Sequence, residues 1–362
     1  MVLIFRYGPR PAFIFKTVCS LRPVKTHSFA FLSLKTLSTM SAGAAKQDNK
    51  DLAPIFKWAS NDGEFRRQDS SFRGVVSREP NATFRAEPGR YHLYVSWACP
   101  WAHRTVIVRA LKGLEDVIGL SVVHYLLGDG GWRFDLPGEK TPGVVPDTVN
   151  EAQYLRELYF KADPEYSGRY TVPVLWDKKH GTIVNNESSE IIRILNTAFD
   201  EWSTAPGVTY YPKDLASQID EVNTWVYDQI NNGVYKAGFA TSQTAYESNY
   251  AKVFDGLARV ESLLANRKWL VGDRFTEADI RLWTTIVRFD PVYHTHFKCN
   301  GGTITHDYPN ILRWARQVYQ TPKIKETVNM MHIKRHYYMS HIQINPYRIV
   351  PEWDGPDLDI KV

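Results

Sequence analysis

Tyr91-His92-Leu93-Tyr94-Val95-Ser96-Trp97-Ala98-Cys99-Pro100-Trp101-Ala102-His103-Arg104 decides how the rest of the chain is read. Tyr91 to Val95 is a short apolar run fit for a strand, and Ser96 to Cys99 turns out of it. Pro100 suits the first turn of a helix, where its missing N–H is not needed. Trp101, Val106, Val108 and Leu111 continue an apolar face to Lys112, and Leu120 to His124 reads as a second strand. A strand, a crossover helix and a strand make a parallel βαβ unit. Cys99 then stands where backbone N–H groups and the positive end of a helix dipole converge, which favours a thiolate at neutral pH. The plainer alternative is a small core residue.

The pattern continues outward from this unit. Gly128, Gly130, Gly131, Pro137, Gly138, Pro142, Gly143 and Pro146 make a long irregular connection, of the length usually reserved for functional loops. Helical spacing returns over Glu151 to Phe160. Tyr170 to Trp176 and Gly181 to Val184 read as strands joined by a turn at Asp177 to His180. Ser188 or Ser189 can cap the next helix, with Ile191, Ile192, Ile194 and Leu195 on its apolar face. Beyond Trp202 only helical patterns remain, at about 214–231, 243–265, 276–289 and 309–320, and Thr276-Glu277-Ala278-Asp279 is a capping box. The fold class is therefore α/β plus all-α. Residues 89–202 form the first domain and 203–340 the second, preceded by an extension over 41–88 that is mostly loop and followed by a tail over 341–362.

Composition bounds the function. Of 362 residues 43% are apolar and 13% aromatic, with 11 Trp, 20 Tyr and 17 Phe, so flat ring-shaped ligands are plausible. Apolar runs such as Val2 to Phe5 and Phe29 to Leu32 are four residues long, far below the ~20 a spanning helix needs, so no membrane partner is expected. The net charge of +5 is concentrated in residues 1–40, which hold six cations and no acid. Without those six of the 44 cations, 38 stand against 39 acids, a net charge of −1. No basic face is left for nucleic acid. The acid-free, Ser- and Thr-containing leader has the composition of a mitochondrial transit peptide, or of an extension with no address, and Met40 as an alternative start would leave a cytosolic form. Three cysteines, Cys19, Cys99 and Cys299, give no disulfide framework and point to a reducing interior.

Three constellations carry chemistry. Ala102 sits where a Cys-x-x-Cys motif would place its second thiol, so a mixed disulfide on Cys99 must be cleared by an outside thiol, in cells most often glutathione. Pro173 interrupts the strand around Thr171-Val172-Pro173-Val174 and so marks a strand start, an edge or a bulge. In a thioredoxin-like fold a cis proline there leaves the Val172 N–H and C=O for a peptide ligand. Asn186-Glu187-Ser188-Ser189 precedes a helix, where a free N-terminus and hydroxyl suit a carboxylate and Glu187 an ammonium; alone, this is simply a helix cap. His294, His296 and Cys299 lack a fourth ligand, and no metal is expected.

Ser96 to Arg104, Gly130-Gly131-Trp132, Val172 to Trp176, Asn186-Glu187-Ser188 and Asn232-Gly233-Val234-Tyr235-Lys236-Ala237-Gly238-Phe239 together resemble the Xi-class glutathione transferases, the S-glutathionyl-(chloro)hydroquinone reductases, over roughly residues 50 to 350. The resemblance implies a thioredoxin-like N-terminal domain and an all-helical C-terminal domain. It implies Cys99 as nucleophile, Trp132 flanking glutathione, Val172 pairing with its backbone, and Glu187 and Ser188 holding its γ-glutamyl end. It also implies an arginine on glutathione, Arg156 in preference to Arg169, and Tyr235 and Tyr293 lining an aromatic-substrate pocket, one of them the acid. Glutathione is expected as co-substrate with no permanently bound cofactor, aromatic glutathione conjugates as the other substrates, and a homodimer as the assembly.

The expected reaction reduces an S-glutathionyl hydroquinone through a Cys99–glutathione mixed disulfide, with oxidised glutathione released. Two alternatives stand beside it: an omega-like thioltransferase or dehydroascorbate reductase, which would use the same cysteine, and a non-catalytic module of the same fold that binds ligands or partner proteins, which would have no need of an activated thiol.

Overall fold

The computed structural model describes Ser60 and residues 62–362; the expected leader, Met40 and Cys19 lie outside the described residues. From 62 to 90 the chain is irregular, as its glycines and prolines require, apart from β1 (Val76–Ser77) and β2 (Phe84–Arg85), which pair in parallel. A central sheet follows. β3 (Tyr91–Val95) is buried throughout and lies between parallel β4 (Gly119–Val122) and antiparallel β5 (Val174–Asp177), with β6 (Thr182–Asn185) outside β5. Helices α1 (Pro100–Leu111), α2 (Leu155–Ala162) and α3 (Ser188–Thr197) complete a thioredoxin-like half, in which α1 packs against α3.

The structure corrects three boundaries. The strand expected from Tyr170 begins only at Val174, because Pro173 has no ladder donor; the Val172–Pro173 peptide is cis. The helix expected from Glu151 begins at Leu155. Before it, Gln153 and Tyr154 are spent pairing with Phe134 and Arg133, and Glu151 takes a positive φ of 55°, so the helix cannot start earlier. The cap of α3 is Glu187, whose carboxylate accepts the Ser189 N–H at 3.0 Å, so neither Ser188 nor Ser189 fills that role.

The helical half comprises α4 (Ala216–Val226), α5 (Gly233–Gly238), α6 (Gln243–Leu264), α7 (Glu277–Arg288), α8 (Ile304–Asp307), α9 (Pro309–Tyr319) and α10 (Met330–Ser340). The α7 capping box forms as its sequence dictates: Thr276 accepts the Ala278 N–H, and Asp279 accepts the Thr276 N–H at 3.0 Å. Asp279 also takes the Leu270 N–H and the Trp314 indole N–H, each bond spanning 2.9–3.0 Å, and burial still pushes its carboxyl up to about 6. Two π-helical turns, Tyr227–Asn231 after α4 and Phe289–Tyr293 after α7, widen the helices where they approach α1 and Tyr235. Such turns concentrate at functional sites. Helix α1 is held between the two halves, touching α3 on one side and α7 on another, and its residues Pro100 to Val108 are all buried.

Candidate active site

Cys99 is the N-cap of α1, in extended backbone conformation, and its sulfur lies 3.5 Å from the Val172 carbonyl, to which the thiol donates. The turn before it is braced from the other half of the molecule. Arg288, fully buried at the end of α7, donates to the Ala98 and Trp97 carbonyls, both at 2.9 Å, and to Thr284 O at 2.6 Å. Its remaining contact fixes a tautomer. Thr327 spends its hydroxyl proton on Ile324 O, so His103 must donate Nε2–H to Thr327 Oγ1 at 2.8 Å, leaving Nδ1 to accept from Arg288 at 3.2 Å.

The expectation of a depressed thiol pKa needs correcting. Burial pushes the Cys99 thiol up, and the Ala102 and Trp101 N–H groups together with the charges of Arg67 and Arg288 offset this only in part. The helix N-terminus acts in the expected direction, but desolvation of the sulfur is larger.

Beside the sulfur, the Val172 N–H makes no hydrogen bond among the described residues, while Tyr159 holds the preceding Thr171 carbonyl at 2.8 Å. Glu187 and Ser188 sit at the start of α3. Glu187 accepts from Ser189 N and Ser189 Oγ at 3.0 Å and from Ser70 Oγ at 3.2 Å. Burial raises its pKa, but those bonds and the charges of Arg67 and Arg104 win, holding the carboxyl below its usual range and ionised. Ser188 is buried, with its hydroxyl 3.5 Å from Nη1 of the fully buried Arg104. Trp132 is buried and stacks on His336 of α10, with ring centroids 4.8 Å apart and planes 25° apart.

On the other side stand the phenols. The Tyr235 and Tyr293 hydroxyls both bond the hydroxyl of Tyr337, Tyr293 at 2.9 Å. Both Tyr235 and Tyr293 are close enough to Cys99 to feel its charge, and burial pushes Tyr293 up to about 12 and raises Tyr235 and Tyr337 well above the ordinary phenol value. All three are neutral hydrogen-bonding phenols at physiological pH. A Cβ on Gly238 would strike the Phe297 ring, which stacks on Tyr293, so only glycine allows α5 to bring Tyr235 this close.

The structure thus brings Cys99, Val172, Glu187, Ser188, Tyr235 and Tyr293 around one turn, with Trp132 on the flank held by α10. It treats the two candidate arginines differently. Arg156 lies with its guanidinium 4.6 Å over the Tyr154 ring, and no hydrogen bond links it to Cys99, Val172 or Glu187. Arg169 donates its backbone N–H to Gln68 and feels the charge of Arg67, which also reaches Cys99 and Glu187. Sequence reasoning missed Tyr337, His336, Arg288 and Arg67. The alternation of His332, His336 and Tyr337 along α10 was available as a signal, but nothing local says which site they face. Cys299 is buried, with its thiol toward Phe297 O, and His296 bonds His341 at 3.1 Å. Among the described residues no three His, Cys, Asp or Glu side chains converge as metal ligands would.

Residues 98–198 match the glutathione S-transferase N-terminal domain family and residues 243–317 the C-terminal domain family. The chain is 55% identical over 306 residues to the glutathionyl-hydroquinone reductase YqjG of Escherichia coli, covering 83% of this chain and 92% of that one. The glutathione-bound structure of that relative superposes with a TM-score of 0.76, covering 80% of this chain and 94% of that one. A glutathione S-transferase omega-like 2 of Schizosaccharomyces pombe is 54% identical over 84% of this chain and 98% of its own length. The crystal structure of the glutathione-S-transferase Xi from Phanerochaete chrysosporium is 54% identical with a TM-score of 0.78, covering 82% of this chain and all of that one.

Proposed function

The chain belongs to the Xi class of the glutathione transferases, and on that premise we propose that it reduces S-glutathionyl hydroquinones to hydroquinones at the expense of glutathione. The observation that carries the reading is one sulfur, Cys99, at the N-terminus of a helix whose first turn packs Trp101 against Tyr235, with the charge of the sulfur felt by both Tyr235 and Tyr293. The names of the bacterial reductase and the fungal transferases support a glutathione-dependent reductase or transferase.

In the proposed chemistry the Cys99 thiolate attacks the sulfur of the glutathionyl hydroquinone. A Cys99–glutathione disulfide forms as the sulfur–ring bond breaks, and the electron pair passes to the ring carbon, which takes a proton. Tyr235, Tyr337 and Tyr293 are protonated and hydrogen-bond the ring hydroxyls, and one of Tyr235 and Tyr293 assists that protonation. A second glutathione thiolate then attacks the glutathionyl sulfur of the mixed disulfide, releasing oxidised glutathione and the Cys99 thiolate. The balance is one conjugate plus one glutathione to one hydroquinone plus one oxidised glutathione. In this reading the Val172 N–H pairs with the glutathione backbone, and Glu187 and Ser188 hold its γ-glutamyl end, Glu187 taking the ammonium. Of the two arginines, this reading favours Arg169, whose N–H is held by Gln68 and which feels the charge of Arg67, over Arg156, whose guanidinium lies on the Tyr154 ring.

The test is incubation with glutathionyl menadiol and glutathione, following menadiol and oxidised glutathione by chromatography. Stoichiometric release that disappears in Cys99→Ser supports the reductase; no release, with turnover of dehydroascorbate instead, would favour the omega-like reading.

A further inference from the structure

The segment from Gly63 to Arg73 lies outside both matched domains, yet it runs along the candidate active site from one end to the other. At one end the Gly63 carbonyl accepts the Thr241 N–H at 3.1 Å, and the Phe65 ring lies 6.2 Å from Tyr235. At the other, Gln68 accepts the Arg169 N–H at 3.3 Å, Ser70 donates to Glu187 at 3.2 Å, and the Phe72 N–H bonds Asn186 at 3.1 Å. Arg67 stands between these anchors.

Its neighbours in sequence are satisfied: Arg66 bonds Ser60 and Asp62, and Arg73 bonds Glu190. Arg67 makes no hydrogen bond or ion pair among the described residues. Its guanidinium carbon sits 4.1 Å from the centroid of the Trp101 ring, the same ring that Arg104 approaches at 4.4 Å. It is half-buried, and its charge reaches Cys99, Glu187, Arg104 and Arg169. A guanidinium parked on an aromatic face gains on the order of 1 kcal/mol from the ring but leaves its planar fork of N–H donors unused. That fork fits a carboxylate.

Glu187 faces the same space as a fixed negative charge. An α-amino acid end group that gives its ammonium to Glu187 has its carboxylate one carbon away, and that carboxylate needs a cation to stay beside Glu187. Arg104 is already committed to Asn231 at 3.0 Å and is buried beneath Ser188. We propose that Arg67 is a glutathione-binding residue, its guanidinium taking the α-carboxylate of the γ-glutamyl group, so that the N-terminal extension is part of the active site. This rests on the reading that glutathione binds beside Cys99.

The experiment measures glutathione binding by calorimetry in the Cys99→Ser protein, so that no turnover is needed. Adding Arg67→Gln is expected to weaken binding about tenfold or more, the scale of a charge-assisted hydrogen bond. Arg67→Lys, which keeps the charge, is expected to recover part of it, and Arg66→Gln to change nothing. The penalty is expected to persist with glutathione esterified at its glycine carboxylate. Binding by Arg67→Gln within twofold of its parent overturns the proposal, as does a penalty confined to the free glycine carboxylate. Loss of binding in Arg67→Gln that Arg67→Lys and an unchanged melting temperature show to be local supports it. Failure of the Cys99→Ser parent itself to bind glutathione overturns the underlying reading, and the proposal with it.

Discussion

The Trp132 indole stacks on the His336 imidazole, 4.8 Å between centroids, so a helix close to the C-terminus holds the flank of a site whose nucleophile lies at residue 99. His336 is buried, bonds the Tyr125 carbonyl at 2.9 Å through Nδ1, and neighbours Tyr337, which reaches the phenols. One turn of α10 therefore ties the irregular connection after β4 to the aromatic pocket.

His336 also has a consequence for stability against pH. Burial lowers its pKa to about 4, that of His92 to about 4 and that of His296 to about 3, with His103 and His341 well below their ordinary value. Unfolded histidine titrates near 6.5, so between the two values the unfolded chain binds more protons and stability falls as the pH drops. Asp279 acts in the opposite direction: with its pKa raised to about 6, its contribution is full below the unfolded value of about 4 and is lost as the pH rises through 6. His124 and His332 are lowered by burial as well, so among the described residues one raised carboxyl stands against seven lowered imidazoles, and the net slope keeps the sign of the histidines. Urea unfolding between about pH 7 and pH 5 should show decreasing stability, and His336→Gln should remove at most about 2 kcal/mol of that loss, the ~1.5 pH units below 6.5 at ~1.4 kcal/mol each. Parallel slopes for the two proteins would show that His336 is not held neutral by the fold.

Legibility followed the range of the interaction. β3, the α1 start at Pro100 and the capping box at Thr276 were readable because a few adjacent residues determine each. The strand at Tyr170 and the helix at Glu151 were overextended because apolar spacing alone does not register a proline without a donor, or the pairing of Gln153 and Tyr154 with the chain at 133–134. The single apolar face read for α1 was too narrow: His103, Arg104 and Thr105 are also buried, because α7 covers the side that periodicity assigns to solvent. Cys99, Glu187 and Tyr235, the candidates at this site, lie in local motifs. Tyr337 and Arg288 do not, since each reaches the candidate site only through a contact spanning more than 40 residues.

The thiol should report the balance between burial and the helix N-terminus directly. Because burial raises the Cys99 pKa, its alkylation by iodoacetamide in the protein without glutathione is expected to be slow at neutral pH. The rate should climb about tenfold per pH unit through the ordinary thiol range near 8.5 without levelling there. A plateau already reached by about pH 7 would restore the depressed pKa expected from the helix position alone. Cys299 is buried and pushed up to about 12, so it should not contribute; Cys99→Ser, which leaves Cys299 in place, supplies the blank.

Tyr337 is the phenol through which the other two communicate. Tyr337→Phe removes the hydroxyl shared by Tyr235 and Tyr293 while keeping the ring and its edge-on packing against Tyr293, at 5.5 Å. Release of hydroquinone should slow by about tenfold or more, as for loss of an assisting acid or its orienting partner. Glutathione binding to the Cys99→Ser form should hardly change. Steady-state turnover and calorimetry separate the two effects; equal turnover would place the hydroxyl outside the reaction.

Arg288 offers the sharpest test of how the two halves share the site. Its guanidinium is the partner given to the Trp97 and Ala98 carbonyls, and it donates to His103 within the same buried space. In Arg288→Leu those carbonyls lose their donor, at a cost of about 1–3 kcal/mol each, and the cation that partly offsets the burial of Cys99 is removed. The expected result is a loss of several kcal/mol in urea unfolding. In the protein still folded at low temperature, alkylation of Cys99 should also be slower than in the parent at the same pH. Arg288→Lys, which keeps a charge but cannot serve three carbonyls and His103 in the same geometry, should recover part of the alkylation rate and little of the stability. If both variants unfolded like the parent, the turn before Cys99 would be holding itself in place, and its dependence on α7 would be wrong.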